Sequence, residues 1–127
     1  MVDPDGERGR RLRLLTQCLA ALAAGAADQR AWVDRYDVPT DELALDFEHA
    51  HRLVAGNHLG DDEVMADLRA IDAVLSAMSG PGNAPRWSQD ALDGDPGWTE
   101  IRERARRALI RLTGGWRLPL PELRVVR

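Results

Sequence analysis

Leu12, Leu15, Leu19, Leu22 and Ala26 recur at intervals of three and four residues, the spacing of one helix face. The pattern predicts a first helix from about Arg8 to Gly25, preceded by a polar arm over residues 1–7. Leu14, Cys18 and Ala21 widen its apolar surface beyond a single stripe, so other helices should surround it. Asp28 suits the N-cap of a short second helix through Tyr36, with Trp32 and either Val33 or Tyr36 turned inward. Pro39 ends the following connection. Thr40 is then expected to cap a third helix, with Asp41 and Glu42 in its first turn and Leu43, Phe47, Ala50 and Val54 on its core face.

A break over residues 56–60 precedes a fourth helix opened by Asp61, Asp62 and Glu63, with Val64, Leu68, Ile71, Leu75 and Met78 as its apolar positions. Gly80-Pro81-Gly82-Asn83-Ala84-Pro85 reads as a loop, because glycine and proline both disfavour continuing the helix. Ser88 can cap a short turn to Leu92, and Asp95 with Pro96 at the first helical position opens a last helix. Trp98, Ile101, Ala105, Leu109 and Leu112 form its inner face, and Gly114-Gly115 stops it. The prolines that follow exclude a continuous helix, so Trp116, Leu118 and Leu120 should project one way from an extended strap. No repeat of 20–50 residues is visible. The expected fold is all-α: a single domain over residues 1–127, a compact bundle of about five helices around a central first helix. Residues 116–127 form its extended, proline-containing tail.

Composition agrees with that class. Apolar residues at 44% and charged residues at 30% are values of an ordinary globular chain, so folding without a partner is expected. Alanine and leucine abound while aromatic residues make up 5%, which favours helix over strand. All 17 basic residues are arginine, a usage that fits high-GC coding bias as well as any function. The single Cys18 cannot form an internal disulfide and reads as a small buried hydrophobe, which points to a reducing cytoplasm. Arg8, Arg10, Arg11 and Arg13 before the apolar run of residues 14–27 resemble the start of a secretory signal. Asp3, Asp5 and Glu7 precede the arginines, and Thr16 and Gln17 interrupt the run, so a retained helix is expected. No segment reaches the ~18 uninterrupted apolar residues of a membrane span.

Candidate chemistry is sparse. His49 and His51 lie beside Asp46 and Glu48, but two residues apart on a helix they point about 200° from one another. Only Glu48 with His51, or Asp46 with His49, has ligand spacing, and a Glu-x-x-His fragment needs a second copy to build a di-iron bundle. No second copy exists, and His58 stands apart, so neither a metal nor another cofactor is expected. There is no Gly-x-Ser-x-Gly, His-Glu-x-x-His or phosphate loop, and Ser76, Ser79 and Ser88 sit where serine caps backbone, so no catalytic residue is assigned.

Charge is segregated along the chain. Residues 1–40 carry six acidic and six basic groups, residues 41–95 carry twelve and three, and residues 96–127 carry three and eight. The net charges are 0, −9 and +5. The acidic middle block can form a negative face that attracts a basic partner, or can pair with Arg102, Arg104, Arg106, Arg107 and Arg111 of the last helix. Asp67 falls at the edge of the apolar stripe between Val64 and Ile71, where a carboxylate needs a partner or marks an interface. Overall acidity, and Glu100 and Glu103 among the arginines, argue against nucleic acid.

The run Val38-Pro39-Thr40-Asp41-Glu42-Leu43-Ala44-Leu45-Asp46-Phe47 is joined by a helix ending in Ala77-Met78-Ser79-Gly80. Trp87, Asp95-Pro96-Gly97-Trp98, Arg102 and Ala105-Arg106-Arg107-Ala108-Leu109 follow. Together they resemble short helical proteins of high-GC bacteria, over about residues 10–113. In size, acidity and tryptophan-anchored last helix the chain is similar to immunity proteins that neutralise antibacterial toxins. The resemblance implies a binding protein rather than an enzyme, with a basic partner such as a cognate toxin. The residues expected to meet it are Asp46, Glu48, Asp61, Asp62, Glu63, Asp67 and Asp72. The alternatives are a homo-oligomeric scaffold or adaptor whose tail docks on a neighbouring subunit, and a metal-binding helical bundle.

Overall fold

A computed structural model describes residues 4–55 and 62–121. Its helices are α1 (Pro4–Ala23), α2 (Ala26–Tyr36), α3 (Phe47–Ala55), α4 (Asp62–Met78), α5 (Gln89–Gly94) and α6 (Pro96–Thr113), with 3-10 turns at Thr40–Leu43 and Ala84–Trp87. The described residues contain no strand. The fold is an all-α bundle in which α1 packs on α6, α3 and the first 3-10 turn, and α4 packs on α6 and α3. The small α5 joins α2 to α6. α1 is central, as its broad apolar surface requires, and it shares the centre with α6.

Both central helices bury small residues: Ala20, Ala21 and Ala23 on α1 and Ala105 and Ala108 on α6. Larger side chains fill the layers around them, with Leu15, Leu19 and Leu22 of α1, Leu68 and Ile71 of α4, and Trp98, Ile101 and Leu109 of α6. Cys18 belongs to this core. Burial, reinforced by Asp46, pushes its thiol up to about 12, so it is a packing residue rather than a nucleophile.

Local chemistry sets several boundaries where expected. Ser88 accepts from the Ala91 N–H to start α5, and Asp95 accepts from the Gly97 N–H at 2.7 Å to start α6. Gly114 ends α6 with a left-handed backbone, φ 90°, that glycine adopts without strain. The short turn expected up to Leu92 is the helix α5, which brings the number of α-helices among the described residues to six.

Other boundaries differ. α1 starts at Pro4, so residues 4–7 of the expected arm form its first turn, where Glu7 pairs with Arg11 at 2.7 Å. α2 starts after Gly25, and Asp28 lies within its first turn rather than capping it. Gln29, in the same turn, is fully buried, and its Nε2 donates to the carbonyls of Ala21 and Leu22 at 3.0 and 3.1 Å. Arg106 Nε donates to the Ala23 carbonyl at 2.8 Å. The open carbonyls at the end of α1 are thus met from α2 and α6, an answer to helix-end chemistry that no local sequence signal announces.

The expected third helix is broken in two. Thr40 opens a 3-10 turn whose i to i+3 bonds continue through Leu45 N–H to the Glu42 carbonyl and Phe47 N–H to the Ala44 carbonyl. Leu43 and Phe47 both enter the core, and Leu45 between them stays outside, 61% exposed.

The strap runs back over the bundle. Trp116, Leu118 and Leu120 pack half-buried against the core, the Arg106 guanidinium lies 3.8 Å from the centre of the Trp116 ring, and Trp32 Nε1 donates to the Pro121 carbonyl at 2.8 Å. The rest of the expected tail, residues 122–127, lies outside the described residues.

Candidate functional site

Much of the acidic block is engaged within the chain. Asp67 on α4 is 2% exposed and meets Arg104 Nη1 at 3.2 Å and Arg107 Nε at 3.8 Å, so α4 and α6 are joined by charge as well as by packing. Glu63 pairs with Arg111 at 2.8 Å along the same seam. Arg30 of α2 holds both Asp90 and Asp93 of α5, and Arg86 grips Asp95 through two hydrogen bonds at 2.9 and 3.0 Å. That grip and the Gly97 N–H hold the Asp95 carboxyl below its ordinary value. Arg102, buried on α6, spends its guanidinium on the Leu92 carbonyl. Burial and the neighbouring Arg106 pull its pKa down.

Subtracting these pairs leaves Asp41, Glu42, Asp46, Asp62 and Asp72 without an ion-pair partner among the described residues. Glu48 meets only the exposed Arg52 of its own helix at 3.7 Å, a pair worth at most a few tenths of a kcal/mol. Asp41, Glu48 and Asp72 share the rim of one groove of about 600 Å³ between the first 3-10 turn, the start of α3 and the second half of α4. The floor is apolar, formed by Ala44, Leu45, Phe47, Leu75 and Trp87. No arginine lines it among the described residues.

The second 3-10 turn closes the far end. Trp87 Nε1 donates to the Met78 carbonyl at 2.8 Å, and the Trp87 ring meets the edge of buried Trp98 with ring centres 5.4 Å apart. Trp98 Nε1 donates to the Arg86 carbonyl at 2.8 Å. The loop after α4 is therefore pinned by two indoles, and the groove has a firm wall.

Of the seven residues expected to meet a partner, Glu48 and Asp72 come together at the groove. Asp46 is exposed beside a separate small cavity of about 150 Å³ that Cys18 and Pro121 also line. Asp62 is exposed in the first turn of α4, and Glu63 is exposed but paired with Arg111. Asp67 requires correction: it is buried and paired from within, so a docking partner does not reach it. Asp61 lies outside the described residues, as does His58.

Sequence reasoning missed Asp41, taken for a helix-end charge, and Leu45. The signal for Leu45 was present, since it is a large aliphatic residue lying off the stripe of Leu43, Phe47, Ala50 and Val54. His49 is exposed, His51 stacks on Phe47 with ring centres 5.6 Å apart, and among the described residues no three metal-binding groups converge. No helix among the described residues is long and apolar enough to cross a membrane.

Compared with known protein families, curated protein sequences and solved structures, the chain matches none. Any functional reading therefore stands on the geometry of this molecule.

Proposed function

We propose that this chain is a protein-binding module of the immunity or antitoxin type, which occludes a basic toxin through an acidic helical face. One observation carries the reading: the carboxylates left over after internal pairing include Asp41 and Asp72, which line a single groove together with Glu48 and the exposed Leu45. Clustered charge of one sign steers an oppositely charged protein and speeds encounter, while an apolar patch beneath it supplies surface to bury on contact. Exposed Asp46 and Asp62 extend the negative region, whereas Asp67 serves the fold.

The scaffold alternative assigns the tail to a neighbouring subunit. Over residues 116–121 the tail is held by its own chain, through Trp32, Arg106 and the core, which favours the first reading.

The test is to express the products of genes adjacent to this one, with and without it. A toxic neighbour whose effect on growth is relieved, and which co-purifies with this chain, is the expected result. If no neighbour is both bound and relieved, the reading fails.

A further inference from the structure

We infer that the groove receives a cationic amphipathic segment of the partner protein, with an aliphatic or aromatic side chain seated on Leu45 and flanking arginines or lysines on Asp41, Glu48 and Asp72. The inference rests on the protein-binding reading above and specifies what is bound. Two features of the groove ask for positive charge, its carboxylates and the carboxyl end of α4. The rim carries three carboxylates with no arginine among the lining residues. Ser76, Ser79 and Gly80, at the carboxyl end of α4, also line it, so the negative end of that helix dipole faces the same space. The last turn of α4 contains no basic residue, the usual means of offsetting that end. The carbonyls at this end are met by neutral donors, the Asn83 amide at 3.4 and 2.8 Å from those of Ala77 and Ser79 and Trp87 Nε1 at 2.8 Å from that of Met78, so these bonds bring no positive charge to offset the dipole.

Charge alone would suit a free cation, but the floor does not. Leu45, Leu75, Phe47 and Trp87 offer apolar area that a hydrated ion leaves unburied. An anionic lipid surface or nucleic acid is repelled by the rim. A small molecule needs enclosure over most of its surface, whereas this groove lies open along one side. A protein segment that is apolar on one stripe and basic at its edges satisfies floor and rim together, as in helix-in-groove recognition. The other large exposed apolar side chain, Ile110, lies on the arginine-rich α6, so a second copy of this chain is the competing occupant.

The test uses a fluorescein-labelled peptide with leucines at helical spacing among arginines, titrated into the full-length protein at low salt and followed by anisotropy. Two control peptides carry serine for leucine or glutamine for arginine. Leu45→Ser should weaken binding about tenfold and Asp41→Asn with Asp72→Asn about fivefold or more. Circular dichroism should show both variants folded, because neither change touches a fully buried side chain. Amide shifts in the wild type should concentrate at residues 41–48 and 72–80.

The inference is overturned by no binding, by equal binding of either control peptide, by variants that bind like wild type, or by shifts centred elsewhere. Light scattering that shows self-association abolished by Leu45→Ser would install a second copy as the occupant and equally overturn it. The two readings separate in cells. Variants that still relieve a neighbouring toxin sink the groove and spare the immunity function, whereas peptide binding without any relief does the reverse.

Discussion

Asp67 sits between two guanidinium groups that are far more exposed than it is: 35% for the Arg104 side chain and 63% for Arg107, against 2% for the carboxylate. Removing the acid therefore frees cations that can turn to water, whereas removing Arg104 takes the one side-chain hydrogen bond from a buried anion and leaves it only Arg107, 3.8 Å from an Oδ2 that accepts no hydrogen bond. Asp67→Leu should change stability by less than about 1 kcal/mol, and Arg104→Ala should cost about 2 kcal/mol or more. Urea denaturation of the two variants checks the order, and a larger loss for Asp67→Leu would refute it. The buried acid was legible as an anomaly in the apolar stripe, but its partners lie 37 and 40 positions later in the chain. Gln29 shows the opposite case. Nothing distinguishes it from a surface glutamine until α1 and α2 are folded against one another and its amide closes the end of α1.

The start of α6 joins three elements at one glycine. A methyl group on Gly97 would lie 2.7 Å from Met78 Sδ at the end of α4, 2.8 Å from Arg86 Nη2 and 3.0 Å from Asp95 Oδ1. Met78 is fully buried and Arg86 is committed to Asp95, so neither yields without loss. Gly97→Ala should cost about 1–3 kcal/mol, measured as a lower Tm. At Gly25, where the nearest atom to an added methyl is 3.7 Å away and φ is −61°, alanine should be neutral or stabilising.

The same cap predicts an acid response. Because Arg86 and the Gly97 N–H hold Asp95 below its ordinary 3.8, its contribution is complete above that value and is lost as pH falls through the folded value. Asp95→Asn should flatten the stability profile below about pH 4, and thermal melts across that range would show an unchanged slope if the grip contributes nothing. Capping at Ser88, Asp95 and Gly114 was readable in advance, since it uses residues within a turn of one another. The break between the first 3-10 turn and α3 was not, because Leu43, Phe47, Ala50 and Val54 keep helical spacing straight through it.

Across the whole molecule, charge serves two purposes that salt should separate. The pairs of Glu63 and Asp67 with α6 supplement a contact whose strength is burial, while the groove rim faces solvent and acts at longer range. Raising salt from about 0.05 to about 0.5 M should weaken the arginine–leucine peptide about tenfold, while Tm stays nearly constant. Loss of stability in step with binding would mean that the ion pairs carry the bundle. Periodicity, turn residues and the scarcity of β-branched and aromatic residues determined by themselves that this chain is a helical bundle with an acidic middle. They suffice because helix formation and capping depend on neighbours within about four residues. Which acids remain free, and that Asp41, Glu48 and Asp72 line one groove with Leu45, was decided only by the packing of α3, α4 and α6. Ion pairing and groove shape depend on groups that are distant in the chain, and their separations do not exist until the core has closed.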